Sequence, residues 1–290
     1  MTKSTPPQST PASTDVPTAG PSFNELPLSP AMLANLQQLG YLSMTPIQAA
    51  SLPIALAGHD LIAQAKTGSG KTASFGLPLL TKLNPRNFGV QALVLCPTRE
   101  LADQVTQEIR RLARAEDNIK ILTLCGGATM RPQMSSLEHG AHIVVGTPGR
   151  IMDHLERGSL NLEALSTLVL DEADRMLDMG FFDDIVKVAR SCPKDRQTLL
   201  FSATYPEGIE KLSRQFLRDP QQVKLTEQHT ATKIRQRFYE VSNEQRLNAV
   251  GQLLNHFRPV EWVSVAELEA IAQVHALAGF DFLNAEGIAP

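Results

Sequence analysis

The sequence predicts a doubly wound α/β fold, with a mainly parallel sheet flanked by helices on both faces. Short apolar runs recur between Phe23 and about Lys224, and each is only four or five residues long. Several of these runs are apolar almost throughout, which is typical of strands buried on both faces of a covered sheet. A small or turn-forming residue and then a helix-like pattern follow each run, so strands and helices alternate along the chain.

The elements follow from these patterns in order. The predicted strands are Asp60–Ala63, Ala92–Cys96, Ile121–Leu124, His142–Val145, Thr167–Leu170, Thr198–Phe201 and Gln222–Leu225. The first helix has Ser29 as its N-cap and Pro30 at its first helical position, and both residue types favour a helix start. The predicted helices are Ala31–Leu39, Pro46–Leu56, Lys71–Leu83, Glu100–Ala113, Arg150–Glu156, Asp184–Arg190 and Glu207–Leu217.

Composition limits the class of protein. The chain has 290 residues, of which 42% are hydrophobic and 20% charged, so it can form a full core. A formal net charge of -3 excludes a global field that attracts nucleic acid, and any such site must be local. The three cysteines, Cys96, Cys125 and Cys192, fit no zinc or disulfide spacing. No uncharged apolar run reaches about 18 residues and no secretory signal is present, so we expect a cytoplasmic protein without a membrane span.

The two ends of the chain differ from its middle. Residues 1–22 contain five Thr, four Ser and five Pro, a composition that predicts a disordered tail. Residues 237–260 predict a strand at Phe238–Val241 and a helix at Glu244–Phe257, which we interpret as the start of a second domain. Residues 261–290 hold five acidic side chains and no Lys or Arg, so we treat them as a divergent acidic segment of unknown role.

A phosphate-binding loop is the strongest functional signal. It lies between the first predicted strand and the helix that begins at Lys71, which is the context that such a loop requires. Small residues let backbone N–H groups approach phosphates, and the helix N-terminus favours an anion. Lys71 would contact the β- and γ-phosphates, and the Thr72 hydroxyl would bind Mg²⁺. The candidate residues are Ala65, Lys66, Thr67, Gly68, Ser69, Gly70, Lys71 and Thr72.

An acidic motif follows the predicted strand Thr167–Leu170 directly. Asp171 stands at the carboxyl end of that strand, where a carboxylate can hold Mg²⁺. Glu172 is next in the chain and can polarise an attacking water. The alternative is a solvated acidic helix start, which would be favoured if this motif stood without a phosphate loop.

Hydroxyl groups follow another strand end in the same way. Ser202 and Thr204 come directly after the predicted strand Thr198–Phe201, and they can link the acidic motif to neighbouring loops by hydrogen bonds. A structural turn would explain this pair equally well. Ligands in open α/β sheets bind at the carboxyl ends of strands, so three such motifs on one sheet support one another.

Further candidates suit the phosphates of a polymer. Two segments each combine a hydroxyl, a guanidinium and a helix N-terminus, and a Gly-Gly pair after Ile121–Leu124 would allow a close approach of nucleic acid. Capping, turn formation or an internal arginine–carboxylate pair would explain each segment equally well. The candidate residues are Thr98, Arg99, Gly126, Gly127, Thr147, Gly149 and Arg150.

Taken in order, these motifs resemble those of the DEAD-box ATP-dependent RNA helicases over roughly residues 23–240. The resemblance includes Phe23 and, further along the chain, the segment Thr45–Gln48. It implies a RecA-like domain over residues 23–236, with ATP and Mg²⁺ as cofactors and RNA as partner. It also implies that Gln48 reads the adenine edge and that Phe23 packs near the base. The segments Leu95–Val105 and Asp171–Phe181 resemble the bacterial ribosomal-RNA helicase type, so ribosomal RNA is a candidate substrate.

The resemblance also implies a second RecA-like domain, which needs well over a hundred residues. Only 31 residues follow Pro259, so we interpret the chain as truncated and expect it not to unwind RNA alone. Two alternatives stay open. One is a catalytically weak module that binds ATP and RNA, and the other is a phosphate-loop protein with no role in RNA binding. The sequence predicts no oligomeric state.

Overall fold

The structure, a computed structural model, describes residues 20–116, 118–225 and 241–257. Two compact units divide between residues 226 and 227, ten residues before the domain boundary that the sequence suggests. In the described part of the first unit, the strands are β1 (Leu61–Gln64), β2 (Ala92–Leu95), β3 (Ile121–Leu124), β4 (Ile143–Gly146), β5 (Thr167–Leu170), β6 (Gln197–Ser202) and β7 (Gln221–Lys224). The helices of that unit are α1 (Pro30–Gln38), α2 (Pro46–Leu56), α3 (Lys71–Lys82), α4 (Arg99–Leu112), α5 (Met130–Glu138), α6 (Pro148–Glu156), α7 (Ala173–Asp178), α8 (Phe182–Ser191) and α9 (Glu207–Phe216). The described part of the second unit contains α10 (Arg246–Phe257).

The strands form one sheet in the order β3-β4-β2-β5-β6-β1-β7, and every pairing among them is parallel. Side chains alternate between the two faces of this sheet. Leu61 and Ala63 of β1 belong to one core cluster, and Ile62 between them belongs to the other. Because both faces are buried, both must be apolar, and this is why the strands appear in the sequence as continuous apolar runs.

Helices cover both faces, as the doubly wound prediction requires. Helices α1 to α4 pack on the face that carries Leu61, and α6 to α9 pack on the face that carries Ile62. The helix starts are specified locally: the Ser29 hydroxyl accepts the N–H of Met32, and Pro30 occupies the first turn of α1. No helix in the described ranges is long and apolar enough to cross a membrane.

The structure confirms the predicted fold class, and each predicted strand of the first unit begins and ends within two residues of an observed strand. The predicted helix Glu244–Phe257 is present, although its first turn, Asn243–Gln245, is a 3-10 helix. Two helices were missed. Helix α5 buries none of its residues and carries Pro132, so it shows no apolar period, and α7 has only six residues. Of the predicted strand Phe238–Val241 only Val241 is described, and it lies in no strand.

Residues 1–19 of the predicted tail lie outside the described residues, but its last residues belong to the fold. The Pro21 carbonyl accepts the N–H of Met44 at 2.8 Å. Ser22 caps the 3-10 helix Phe23–Glu25 in a capping box with Glu25. Pro21 and Ser22, which the sequence assigned to the tail, therefore belong to the first unit.

Candidate nucleotide and nucleic-acid site

The strand order divides the candidate residues into two groups along one edge of the sheet. The phosphate loop, the acidic motif and the hydroxyl motif follow β1, β5 and β6, which are neighbours in the sheet. The polymer-phosphate candidates follow β2, β3 and β4, which are neighbours on the other side of β5. All of these motifs stand at carboxyl ends of parallel strands, the usual ligand position in such folds. We call the two groups the nucleotide half and the polymer half.

The phosphate loop, Ala65–Thr72, has the backbone that its sequence predicts. Gly68 and Gly70 have φ values of 79° and 94°, which glycine adopts without strain. Lys71 is 6% exposed, and its Nζ donates to the Ala65 carbonyl at 3.0 Å across the loop. The Ser69 hydroxyl donates to the Lys66 carbonyl at 2.7 Å. Lys71 therefore already points into the loop, where a phosphate acceptor can replace the Ala65 carbonyl.

Gln48 supports this loop from helix α2. Its Oε1 accepts the N–H of Thr45 in a capping box, and its Nε2 donates to the Gly70 carbonyl at 3.1 Å. A Cβ on Gly70 would lie 2.6 Å from Gln48 Nε2, so only glycine allows this approach. Gln48 is thus both the helix-start residue that spacing suggests and a partner of the phosphate loop. Its adenine-reading role remains a prediction.

Asp171 and Glu172 follow β5 and face the loop in different environments. Asp171 is 3% exposed, and burial raises its pKa to about 6 although the charge of Lys71 opposes the shift. Burial also raises the pKa of Glu172, but hydrogen bonds from Arg175 and Thr67 outweigh this effect and hold it below its ordinary value. Glu172 Oε1 accepts the Thr67 hydroxyl at 2.7 Å, and Oε2 pairs with Arg175 at 2.7 Å. Glu172 is therefore ionised while Asp171 carries a costly buried charge.

The donors at this point fit a hard divalent cation. The described residues contain no cluster of three or more His, Cys, Asp or Glu that could form an all-protein site. Mg²⁺ instead binds one or two protein oxygens and fills its remaining positions with phosphates and water. Asp171 offers a buried carboxylate whose charge Lys71 offsets only in part, and the Thr72 hydroxyl stands at the start of α3. These two oxygen donors fit Mg²⁺, as the sequence predicts.

The hydroxyl motif joins the acidic motif to the phosphate loop. Thr204 donates to Asp174 Oδ2 through its N–H at 2.9 Å and its hydroxyl at 2.8 Å. The Ser202 hydroxyl accepts the N–H of Asp174, and the Ser202 carbonyl accepts the N–H of Ala65. Asp174 and Ser202 are buried, which shields the bond between them from water, whereas Thr204 is exposed and its two bonds are only partly shielded. The loops after β1, β5 and β6 thus form one connected unit.

Phe23 stands apart from these contacts. It is 4% exposed, and its ring lies edge-to-face on Tyr41 with centroids 6.0 Å apart. In this arrangement almost no face of the ring is open to a base. Its packing near adenine remains a prediction that requires the segment around Phe23 to move.

Arg99 and Gly127 make the closest approach in the polymer half. Thr98 caps α4 by accepting the N–H of Leu101, and Arg99 follows as the first residue of that helix. A Cβ on Gly127 would lie 1.7 Å from a guanidinium nitrogen of Arg99, and Gly127 has a φ of 82°. The φ of 82° is therefore the main reason for glycine at this position, because the exposed end of the Arg99 side chain can move away from a Cβ. The predicted close approach of nucleic acid is not needed to explain it.

Gly126 and Gly149 present open backbone at the same edge, whereas the N–H of Thr147 already donates to the Leu124 carbonyl at 3.2 Å. A Cβ on Gly126 or Gly149 would meet nothing within 4 Å. Thr147 precedes α6, and no side-chain hydrogen bond caps this helix start. These positions leave room for an anion, which helix N-termini favour.

Arg150 points inward, contrary to a direct phosphate contact. Its side chain is 11% exposed, and both terminal nitrogens donate to the Ala128 carbonyl at 3.1 Å. It also donates to Gln133 Oε1 at 2.8 Å and approaches Asp153 at 3.5 Å. The internal pairing that the sequence left open is what the structure shows, and contact between Arg150 and RNA remains a prediction.

Asp174 is the last residue of the acidic motif that begins at Asp171, but no role of its own was assigned to it from the sequence. Two other contributors were missed. Arg175 shares Glu172 with Thr67, and a charge three residues away on a helix could have indicated this pair. Gln133 stands in a polar stretch without periodicity, and no pattern distinguished it.

A parallel sheet with a phosphate loop after β1, and a carboxylate motif after β5 with only β6 between these strands, defines a phosphate-loop nucleotide-binding domain. The family model described as "DEAD/DEAH box helicase" matches residues 45–212. The chain therefore belongs to the DEAD/DEAH box helicase family, as the motifs suggested.

Individual relatives agree with this family. The chain is 55% identical to the ATP-dependent RNA helicase DbpA of Escherichia coli over 242 residues, which are 83% of this chain and 52% of that protein. It is 43% identical to the DEAD-box ATP-dependent RNA helicase CshA of Streptococcus pneumoniae, over 82% of this chain and 45% of the relative. A DEAD box protein from Methanococcus jannaschii has a similar structure, with a TM-score of 0.68, 44% identity and coverage of 80% of this chain and 63% of its own. The chain thus spans about half the length of the curated relatives it matches.

Proposed function

We propose that this chain is the ATP- and RNA-binding part of an ATP-dependent RNA helicase. The observation that carries the proposal is the division of one sheet edge into a nucleotide half and a polymer half, which meet where β5 of the first pairs with β2 of the second. ATP bound at the phosphate loop and RNA bound after β2, β3 and β4 would then lie on adjacent loops of a rigid sheet. Such adjacency allows one ligand to change the affinity for the other.

In the nucleotide half, each role rests on a group already in place. Lys71 would exchange the Ala65 carbonyl for the β- and γ-phosphates of ATP, and Gln48 would hold Gly70 while its amide reads the adenine edge. Thr72 and Asp171 would hold Mg²⁺, which neutralises phosphate charge when bound. Ser202 and Thr204 keep the loops after β5 and β6 in register through Asp174.

Hydrolysis requires Glu172 to orient a water while it holds two other partners. Its Oε1 accepts from Thr67 and its Oε2 from Arg175, and each oxygen has a second lone pair that a water can use. Burial raises the pKa of Glu172, but these hydrogen bonds hold it below its ordinary value, so the carboxylate is a weak base toward that water. A weak base favours the second candidate function, a module that binds ATP and RNA but turns ATP over slowly.

In the polymer half, Arg99 is the exposed cation. The hydroxyl groups of Thr98 and Thr147 would supply further donors, and so would the open backbone at Gly126 and Gly149. Contacts to phosphates fix the register of a strand without reading its bases, so we propose binding that depends little on sequence. On its resemblance to the ribosomal-RNA helicase type, we further propose ribosomal RNA as the substrate and the cytoplasm as the compartment.

The direct test is ATP hydrolysis by the purified chain, with and without single-stranded RNA. We expect slow turnover that RNA increases, and loss of both with Lys71→Ala. Lys82→Ala is the matched control, since it removes a lysine at the other end of the same helix. Turnover that persists in Lys71→Ala, or that RNA leaves unchanged in the parent, would contradict the proposal.

A further inference from the structure

A partly buried polar cluster lies beneath the polymer half, and the residue at its centre is outside the motifs identified from the sequence. Its centre is Gln133 on α5, whose Oε1 accepts from Arg150 at 2.8 Å and bonds to His154 Nε2 at 3.0 Å. Gln133 Nε2 donates to the Cys125 carbonyl at 3.1 Å, at the end of β3. The amide therefore joins three elements: the start of the β3–α5 loop, helix α5 and helix α6.

The orientation of each group in the cluster is determined by its partners. Because Gln133 Nε2 faces a carbonyl, its Oε1 must face Arg150 and His154. Gln133 Oε1 can only accept, so His154 Nε2 carries the proton of their hydrogen bond, and His154 Nδ1 bonds to the Ser159 hydroxyl at 2.8 Å. Gln133 thus uses both lone pairs of its oxygen, which joins the half-buried amide to the buried His154 and the mostly buried Arg150 side chain in one specific network.

The cluster holds the two open backbone segments of the polymer half relative to each other. Arg150 donates twice to the Ala128 carbonyl, and Gln133 holds Arg150 on one side and the Cys125 carbonyl on the other. Gly126 lies inside the loop that these bonds fix, and Gly149 precedes Arg150 in the turn at the start of α6. A strand of RNA that contacts both segments needs both at a fixed separation.

We infer that Gln133 is a positioning residue for RNA, which sets the distance between the Gly126 loop and the Thr147–Arg150 turn through Arg150 and His154. This inference rests on the proposed function, because it concerns how the same polymer half recognises phosphates. It assigns Arg150 to the interior of the site and leaves the direct contacts to backbone groups and to Thr147 and Arg99.

The test compares Gln133→Ala with Ser135→Ala, an exposed position on the same helix. Selective isotope labelling of the 18 glycines reports the backbone without RNA, through the amide signals of Gly126 and Gly149. We expect these signals to shift in Gln133→Ala and to stay in place in Ser135→Ala. RNA affinity should fall about tenfold, with the affinity for Mg·ATP unchanged, as for loss of one charge-assisted contact.

A salt titration separates positioning from general damage. Backbone N–H and hydroxyl contacts to phosphates release no counterions, so Gln133→Ala should lower RNA affinity with an unchanged slope of log affinity against log salt. Loss of the Arg99 contact would instead lower that slope by about 0.7 for a single strand, and partial unfolding would reduce Mg·ATP binding as well. Gln133→Glu keeps an acceptor for Arg150 but loses the donor to the Cys125 carbonyl. Its RNA affinity should therefore lie between those of the parent and Gln133→Ala. If Gln133→Ala does not fold, the glycine signals and the RNA affinity of Gln133→Glu are compared with those of Ser135→Ala instead.

The possible failures are distinguishable. Glycine signals that do not move in either Gln133 variant would overturn the positioning role whether or not RNA binds. Signals that move without any change in RNA affinity would also overturn it, because the fixed separation would not matter for binding. A parent chain that binds Mg·ATP but no RNA would refute the proposed function itself and the RNA role of Gln133 with it.

Discussion

Asp171→Asn should stabilise the free protein, because the parent carries a carboxylate that its fold disfavours. Asp171 is 3% exposed, and burial raises its pKa from 3.8 to about 6. The folded state thus binds this proton more tightly than the unfolded state. Stability from Asp171 is therefore fully present below pH 3.8 and is lost as the pH rises through 6. A difference of about two pKa units corresponds to about 3 kcal/mol at pH 7.5, and to about half of that at pH 5.

Urea unfolding followed by circular dichroism measures this difference directly. Asparagine keeps the shape of the side chain without the charge, so Asp171→Asn should unfold at higher urea than the parent at pH 7.5. The difference in stability between Asp171→Asn and the parent should become smaller toward pH 5. Asp178→Asn is the control, an exposed change at the end of α7, the helix that follows Asp171. It should show neither the higher stability nor the dependence on pH. Equal or lower stability of Asp171→Asn at pH 7.5, or a gain that does not depend on pH, would refute the reasoning. Mg·ATP should protect the parent against unfolding but not this variant.

Three further predictions concern single groups. Gln48→Ala should weaken ATP binding and reduce the preference for ATP over GTP in a competition assay, whereas an unchanged ratio would limit Gln48 to supporting Gly70. Gly127→Ala should lower the melting temperature, since its Cβ would lie on Arg99 and its φ of 82° would be strained, whereas Gly126→Ala should melt like the parent and bind RNA more weakly. Thr204→Val should lower the melting temperature by removing a 2.8 Å hydrogen bond to Asp174, and Mg·ATP should still bind.

The strands and the nucleotide half could be predicted because their signals are local. A short apolar run bounded by turn-forming or polar residues is consistent with a buried strand, and its length of four or five residues favours a strand over a helix. The phosphate loop requires glycine at positive φ and a lysine at the helix start, and both residue types can be read directly from the sequence. Strand order is different. It depends on how helices pack over the whole sheet, so the neighbours of β5 could not be derived from the apolar runs.

The polymer half could be predicted only in part, because its polar side chains have more than one partner available. Arg150 has the residue type of a phosphate ligand, yet its guanidinium is bound by the Ala128 carbonyl and Gln133. Helix α5, which carries Gln133, buries no residue and shows no apolar period. The contact between Thr67 and Glu172 joins residues 105 positions apart, and no local pattern indicates it.

Separate binding of two ligands to two halves of one sheet edge is the central claim, and crossed affinity measurements test it most directly. Mg·ATP and a single-stranded RNA would each be titrated into the parent, Lys71→Ala and Arg99→Ala, with Arg111→Ala as the control at the far end of the Arg99 helix. Lys71→Ala should lose Mg·ATP and keep RNA, Arg99→Ala should lose RNA and keep Mg·ATP, and Arg111→Ala should keep both. The account would be contradicted if Lys71→Ala or Arg99→Ala folds but loses both ligands. It would also be contradicted if either variant still binds both.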